Sequence, residues 1–225
     1  MLDAGSWSPV PPGGALYHAI RRTAQGVGLS LARPHVIGGD RVPRRGGVLI
    51  VSNHASIADP LILVAASPRP ITFMAKSELF RRWYARLAAR LTGGAFPVRR
   101  GQHDVRAIRA ALDLLHRGHA VVVFPEGTRQ PGGLGEAHVG VSYLATRGRC
   151  PILPVAIVGS EHVAGVGSLV HRPPIEVRFG EPFALTADDG DAEALSRRIM
   201  ERIAALLPLD RRGVYGSSGD IVHAS

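Results

Sequence analysis

Two short strings hold the side chains best suited to chemistry. They are Ser52-Asn53-His54-Ala55-Ser56-Ile57-Ala58-Asp59-Pro60 and Phe124-Pro125-Glu126-Gly127-Thr128-Arg129. In the first, a histidine stands five positions before an aspartate. A neutral imidazole takes a proton from an alcohol near pH 7. It does so best when a carboxylate fixes its other ring nitrogen and stabilises the imidazolium that forms. That scheme needs no serine or cysteine nucleophile, because the substrate hydroxyl attacks. The second string offers Arg129, a planar multi-donor fork suited to phosphate, and Glu126, an acceptor for substrate hydroxyls. Structural readings compete with both. Asp59 before Pro60 is also a good helix N-cap with proline at N1. Glu126 and Arg129 are also a plausible ion pair pinning a surface turn. The His–Asp spacing alone is a weak signal, since His35 and Asp40 repeat it next to Gly38-Gly39.

Context separates the two pairs. His54 follows the apolar run Val48–Ser52, and Phe124-Pro125 closes the apolar run Ala120–Phe124. Both runs read as buried strands, so both strings lie at strand C-termini, where open α/β sheets form their active sites. The rest of the chain alternates in the same way. Helices are expected over Gly14–Ala32, Pro60–Ala66, Glu78–Leu91, residues 102–117, Gly135–Thr146 and Ala187–Leu207. Strands are expected over Ile71–Ala75, Ala95–Val98, Ile152–Val158 and, as an edge strand, Ile175–Phe179. In the helix over 102–117, Val105, Ile108, Leu112 and Leu115 form the apolar stripe, and Gly118 stands where a C-terminal glycine belongs. The order implies an α/β fold with a mainly parallel central sheet flanked by helices.

Composition sets outer bounds. The 225 residues suit a single domain with a real core, and 45% hydrophobic content excludes global disorder. The lone cysteine, Cys150, excludes an intrachain disulfide framework and suits a reducing compartment. No signal peptide is evident, and no apolar run reaches the length of a membrane span. The net charge of +9 favours an anionic partner. Part of it is concentrated in residues 76–100, where Lys76, Arg81, Arg82, Arg86, Arg90, Arg99 and Arg100 face a single acid, Glu78. A solvated basic face is the competing reading for Lys76 and Arg99.

Asn53-His54-x-x-x-x-Asp59 followed by the FPEGTR string resembles the glycerolipid acyltransferases, in particular those acting on 1-acylglycerol 3-phosphate. Two further blocks agree in order: Gly94-Ala95-Phe96-Pro97-Val98-Arg99-Arg100-Gly101 and Ile152-Leu153-Pro154-Val155-Ala156. The likeness runs over about residues 46–180. It implies acyl transfer from an acyl-CoA or acyl-carrier-protein thioester to a glycerol hydroxyl, giving phosphatidic acid. His54 would be the general base and Asp59 its orienter. Asn53, Lys76, Arg100, Glu126, Gly127, Thr128 and Arg129 would bind substrate. No metal or bound cofactor is implied. Family members often carry a lysine with glycine two positions on shortly after FPEGTR; this chain reads Ala137-His138-Val139-Gly140 there.

The expected organisation is a flexible arm over 1–13, the acyltransferase domain over 14–209 and a disordered tail over 210–225. The expected partners are a lysophospholipid, the thioester donor and an anionic membrane surface. The helix Glu78–Leu91, with Phe80, Trp83, Leu87 and Leu91 on one side and Arg82, Arg86 and Arg90 on another, has an interfacial composition. Packing of its apolar stripe on the sheet is the competing reading. The expected location is the cytoplasm, at the inner face of the cell membrane. Other acceptors fit the same chemistry, namely a glycolipid, an amino-acid-derived lysolipid or glycerol 3-phosphate. A hydrolase, with water in place of the acceptor, and a non-catalytic basic protein binding lipid or nucleic acid are the remaining alternatives. Aromatic content of 5% and the absence of a recognised nucleic-acid motif weigh against nucleic acid.

Overall fold

The computed structural model describes residues 34–76, 95–98, 105–138, 140–163 and 173–216, with isolated positions 19, 22, 23 and 26. Among the described residues seven strands form one sheet: β1 (Pro34–Ile37), β2 (Val48–Ser52), β3 (Ile71–Lys76), β4 (Ala95–Val98), β5 (Ala120–Val123), β6 (Ile152–Val158) and β7 (Ile175–Phe179). Their order across the sheet is β1-β7-β6-β2-β5-β3-β4. Every neighbouring pair is parallel except β6 and β7. The sheet is thus mainly parallel and flanked by helices, the α/β class expected from the alternation of elements.

The central strand explains itself. All five residues of β2, Val-Leu-Ile-Val-Ser, are buried. A β-branched run buried on both faces is what the middle of a parallel sheet requires. Its side chains alternate between two cores. Val48 and Ile50 join Ile62, Leu63 and Val64 of α1 (Asp59–Ala66) on one face. Leu49 and Val51 join α2 (Val105–His116), α3 (Gly140–Arg147) and α4 (Ala192–Ala204) on the other. Each fully buried Leu or Ile in these layers contributes about 2 kcal/mol by leaving water. The Gly46-Gly47 turn feeds β2 past the end of α2. A Cβ on Gly47 would lie 2.2 Å from the Leu115 carbonyl oxygen, so the helix and strand meet this closely only at glycine. Gly118, at φ +84°, ends α2 as expected.

Several elements differ from the sequence reading. Ala107, Ala111, Leu114 and Leu115 are the buried stripe of α2, whereas Val105 is 50% exposed. The two alanines bring that helix close to the sheet. The helix expected from Gly135 begins only at Gly140, because three residues before it use their N–H groups across the chain: Leu134 donates to the Arg211 carbonyl, Gly135 to Glu126 and His138 to the Pro125 carbonyl. The helix expected from Ala187 begins at Ala192, where Asp191 accepts from the N–H groups of Glu193 and Ala194. β7 is not the edge strand; the short and largely exposed β1 lies outside it. The tail is ordered as far as it is described. Residues Leu209–Arg211 and Gly213–Tyr215 form two 3-10 turns. The expected helices Gly14–Ala32 (save the four isolated positions) and Glu78–Leu91, the arm 1–13, and residues 217–225 lie outside the described residues.

Candidate active site

Because β2, β3, β4, β5 and β6 are parallel, their C-terminal ends share one edge. β2 lies between β5 and β6, so the histidine string and the FPEGTR string leave the sheet side by side. Glu126 joins them. Its Oε1 accepts the His54 backbone N–H at 3.0 Å, and its Oε2 accepts the N–H of Gly135 at 3.3 Å. The His54 carbonyl in turn accepts the N–H of Gln130 at 2.7 Å. Both backbone polar groups of His54 are therefore bound by the segment after β5.

The imidazole is held as firmly. Its ring stacks on Phe124, with centroids 4.1 Å apart and planes 17° from parallel. Its Nδ1 lies 2.8 Å from Asp59 Oδ2. That oxygen also accepts the N–H groups of Ala55 and Ser56, each at 2.8 Å. Asp59 is fully buried, while the His54 side chain is 16% exposed. With Nδ1 donating to the carboxylate, the neutral ring carries its lone pair on Nε2, the atom free to take a proton. The N-cap reading of Asp59 gives way here. Helix α1 starts at Asp59 with no side-chain cap, and the carboxylate turns back toward the His54 turn instead. Pro60 brings no N–H to the first turn of α1, which lessens the need for a cap.

Asn53 and Glu126, which the resemblance assigns to substrate binding, both have main-chain partners. The Asn53 side chain accepts from the Ile157 N–H at 2.8 Å and donates to the Ile157 carbonyl at 2.9 Å. This pairing clamps the end of β2 to β6 and gives Asn53 a backbone partner. Glu126 is 3% exposed and spends both oxygens on backbone N–H groups, so it lies beneath the site and makes no ion pair with Arg129. Burial pushes its carboxyl up to about 7; the two N–H bonds oppose that shift, and nearby Asp59 adds to it.

Gly127, at φ +63°, makes the turn beyond Glu126. The His138 ring fills the space a side chain would need: a Cβ on Gly127 would lie 2.4 Å from His138 Cδ2. Thr128 and Arg129 follow and are exposed. Arg129 makes no hydrogen bond or ion pair among the described residues, which leaves its guanidinium available at the rim. Lys76 ends β3 at the same edge, paired in register with Val98 of β4. Arg100, two positions past β4, lies outside the described residues, as does Arg99. Sequence reading missed Gln130 and Gly135, whose backbone N–H groups complete the support of His54. A backbone donor leaves no trace in residue type, so no signal was there to find.

A sequence model of the Acyltransferase family matches residues 33–158. The match covers more than half of the chain, and the chain belongs to that family. Among its relatives is the probable 1-acyl-sn-glycerol-3-phosphate acyltransferase of Mycoplasma pneumoniae, 36% identical over 56% of this chain and 49% of that protein. A second is the lyso-ornithine lipid O-acyltransferase of Brucella abortus, 31% identical over 71% of each chain. The chain spans about half the length of the Mycoplasma relatives it matches. The 1-acyl-sn-glycerophosphate (LPA) acyltransferase from Thermotoga maritima has the same fold, with a TM-score of 0.61 at 23% identity over 84% of this chain and 77% of that one.

Proposed function

We propose that the chain transfers a fatty acyl group from an acyl-CoA or acyl-carrier-protein thioester to the free hydroxyl of 1-acylglycerol 3-phosphate, giving phosphatidic acid. The observation that carries this reading is the His54–Asp59 pair at the end of β2, with no partner on Nε2 among the described residues and the ring stacked on Phe124 of the FPEGTR string. His54 Nε2 takes the hydroxyl proton as the oxygen attacks the thioester carbonyl. Asp59 stabilises the imidazolium. As the tetrahedral intermediate collapses, the C–S bond breaks and the imidazolium returns its proton to the departing thiolate. Arg129, with Lys76 and Arg100 from the neighbouring strand ends, binds the acceptor phosphate. Glu126 and Asn53 hold the base in place.

The donor is a co-substrate, and no resident cofactor or metal takes part. Among the described residues no helix is long and apolar enough to cross a membrane. Contact with an anionic inner membrane surface is assigned to the basic and apolar residues between Glu78 and Leu91, on their composition alone. A second reading, with a lyso-ornithine lipid as acceptor, is favoured by the Brucella relative, whose match covers most of both chains. The chemistry is the same, but that head group carries no phosphate for Arg129. Purified protein is given oleoyl-CoA with each acceptor in turn, and the lipid product is identified by mass. Phosphatidic acid formed by the wild type, with a higher acceptor KM in Arg129→Ala, supports the first reading. Turnover of the ornithine lipid alone moves the function to the second.

A further inference from the structure

The segment after α4 lies beyond the residues that the family match covers, yet it grips the site loop. Three contacts come from one residue. The Arg211 carbonyl accepts the Leu134 N–H at 3.0 Å, Nη1 donates to the Pro131 carbonyl at 2.9 Å, and Nη2 pairs with Glu161 Oε1 at 2.6 Å. Glu161 follows β6, the strand to which Asn53 clamps β2. The Glu161 side chain is 12% exposed and that of Arg211 30%, so the pair is more shielded than an ordinary surface ion pair. Gly213 completes the fit: at φ +54°, a Cβ there would lie 2.0 Å from the Leu134 carbonyl oxygen.

The gripped loop has both ends in the site. At one end Gln130 donates its N–H to the His54 carbonyl; at the other Gly135 donates to Glu126, whose second oxygen accepts the His54 N–H. Arg211 binds the stretch between, at Pro131 and Leu134. With its middle free, a loop of this kind would open and close locally at little cost. Tied down in the middle, it keeps the acceptors and donors around His54 in one arrangement.

We propose that Arg211, paired with Glu161, is a positioning residue for His54, acting through the 130–135 loop; this rests on the reading of His54 as the general base. The contact couples the C-terminal turn to the reacting imidazole without touching substrate. A displacement of about 1 Å in a catalytic group costs on the order of 100-fold in rate. Release of the loop therefore lowers kcat and leaves the donor and acceptor KM values little changed.

The test uses the full chain as wild type, Arg211→Ala, Arg211→Lys and Glu161→Gln. Amide exchange at Gln130 and His54 is measured without substrate, and kcat and KM by thiol release. In Arg211→Ala, exchange at Gln130 accelerates and kcat falls by about 10- to 100-fold, with the far-UV circular dichroism of the wild type. Arg211→Lys restores part of kcat, since lysine keeps the charge toward Glu161 but cannot fork to Pro131 at the same time. Glu161→Gln, the milder change, shows the same effects to a smaller degree. Unchanged exchange at Gln130 in Arg211→Ala overturns the inference, and so does faster exchange with an unaltered kcat. Absence of turnover by the wild type overturns the acyl-transfer reading instead, and the exchange result is read separately from it.

Discussion

Glu126 sets stability against pH in a direction opposite to that of an ordinary paired carboxylate. Its carboxyl rises from 4.5 to about 7 on folding, chiefly through burial. Between those two values the native state keeps a proton that the unfolded chain has released. Stability therefore declines as pH rises from about 4.5 to 7, and the loss is complete above that window. A shift of this size corresponds to about 3 kcal/mol. The ionised form is nonetheless the one that accepts both the His54 and Gly135 N–H groups. A proton on one oxygen weakens that oxygen as an acceptor for its N–H partner. Activity supported by this geometry rises through the same window in which stability falls. Glu126→Gln removes the titration while keeping size and shape. Urea unfolding at a series of pH values from 4.5 to 8, followed by circular dichroism, gives the difference between wild type and variant, in which all other titrating groups cancel. That difference is expected to fall by about 3 kcal/mol across the window. Parallel pH profiles for the two proteins would refute the argument.

Other substitutions separate positioning from chemistry. Asp59→Asn keeps an oxygen for the three N–H donors but removes the charge that stabilises the imidazolium, so kcat falls by about 100-fold or more. Its amide nitrogen would take the place of Oδ1, which is buried without a partner, and urea unfolding should show a cost of about 1–3 kcal/mol. Asn53→Ala leaves both Ile157 backbone groups unpaired and should cost about 2 kcal/mol by the same measurement. Steady-state kinetics of that variant should show a lower kcat at an unchanged acceptor KM; a rise in KM alone would return Asn53 to the substrate-contact role.

The parts legible in the sequence are those encoded by local pattern. β2, β4, β6 and β7 have the bounds read from the sequence; β2 and β6 are apolar runs buried along nearly their whole length, while β7 alternates buried Ile175, Val177 and Phe179 with Glu176 and Arg178. His54 and Asp59 are only five positions apart, and the structure brings them together at 2.8 Å. What escaped is built from distant backbone. Asn53 meets Ile157 across 104 positions and Glu126 meets His54 across 72. Their amide and carboxylate side chains suit a substrate as well as a main-chain partner, and nothing local tells the two apart. β1 escaped for another reason: four mostly exposed residues carry no alternation, and only the pairing with β7 makes them a strand. The C-terminal turn read as a tail because its hold on the site loop runs through carbonyls and one arginine, with few apolar residues to announce it.

The central claim is that His54 is the general base for acyl transfer to a lipid hydroxyl. Its most direct test is acceptor-dependent thiol release from oleoyl-CoA by wild type and His54→Ala, with lipid product counted against thiol. The account requires one product per thiol in the wild type and a loss of about 100-fold or more in kcat in the variant. Product formation by His54→Ala at a rate near that of the wild type would contradict it.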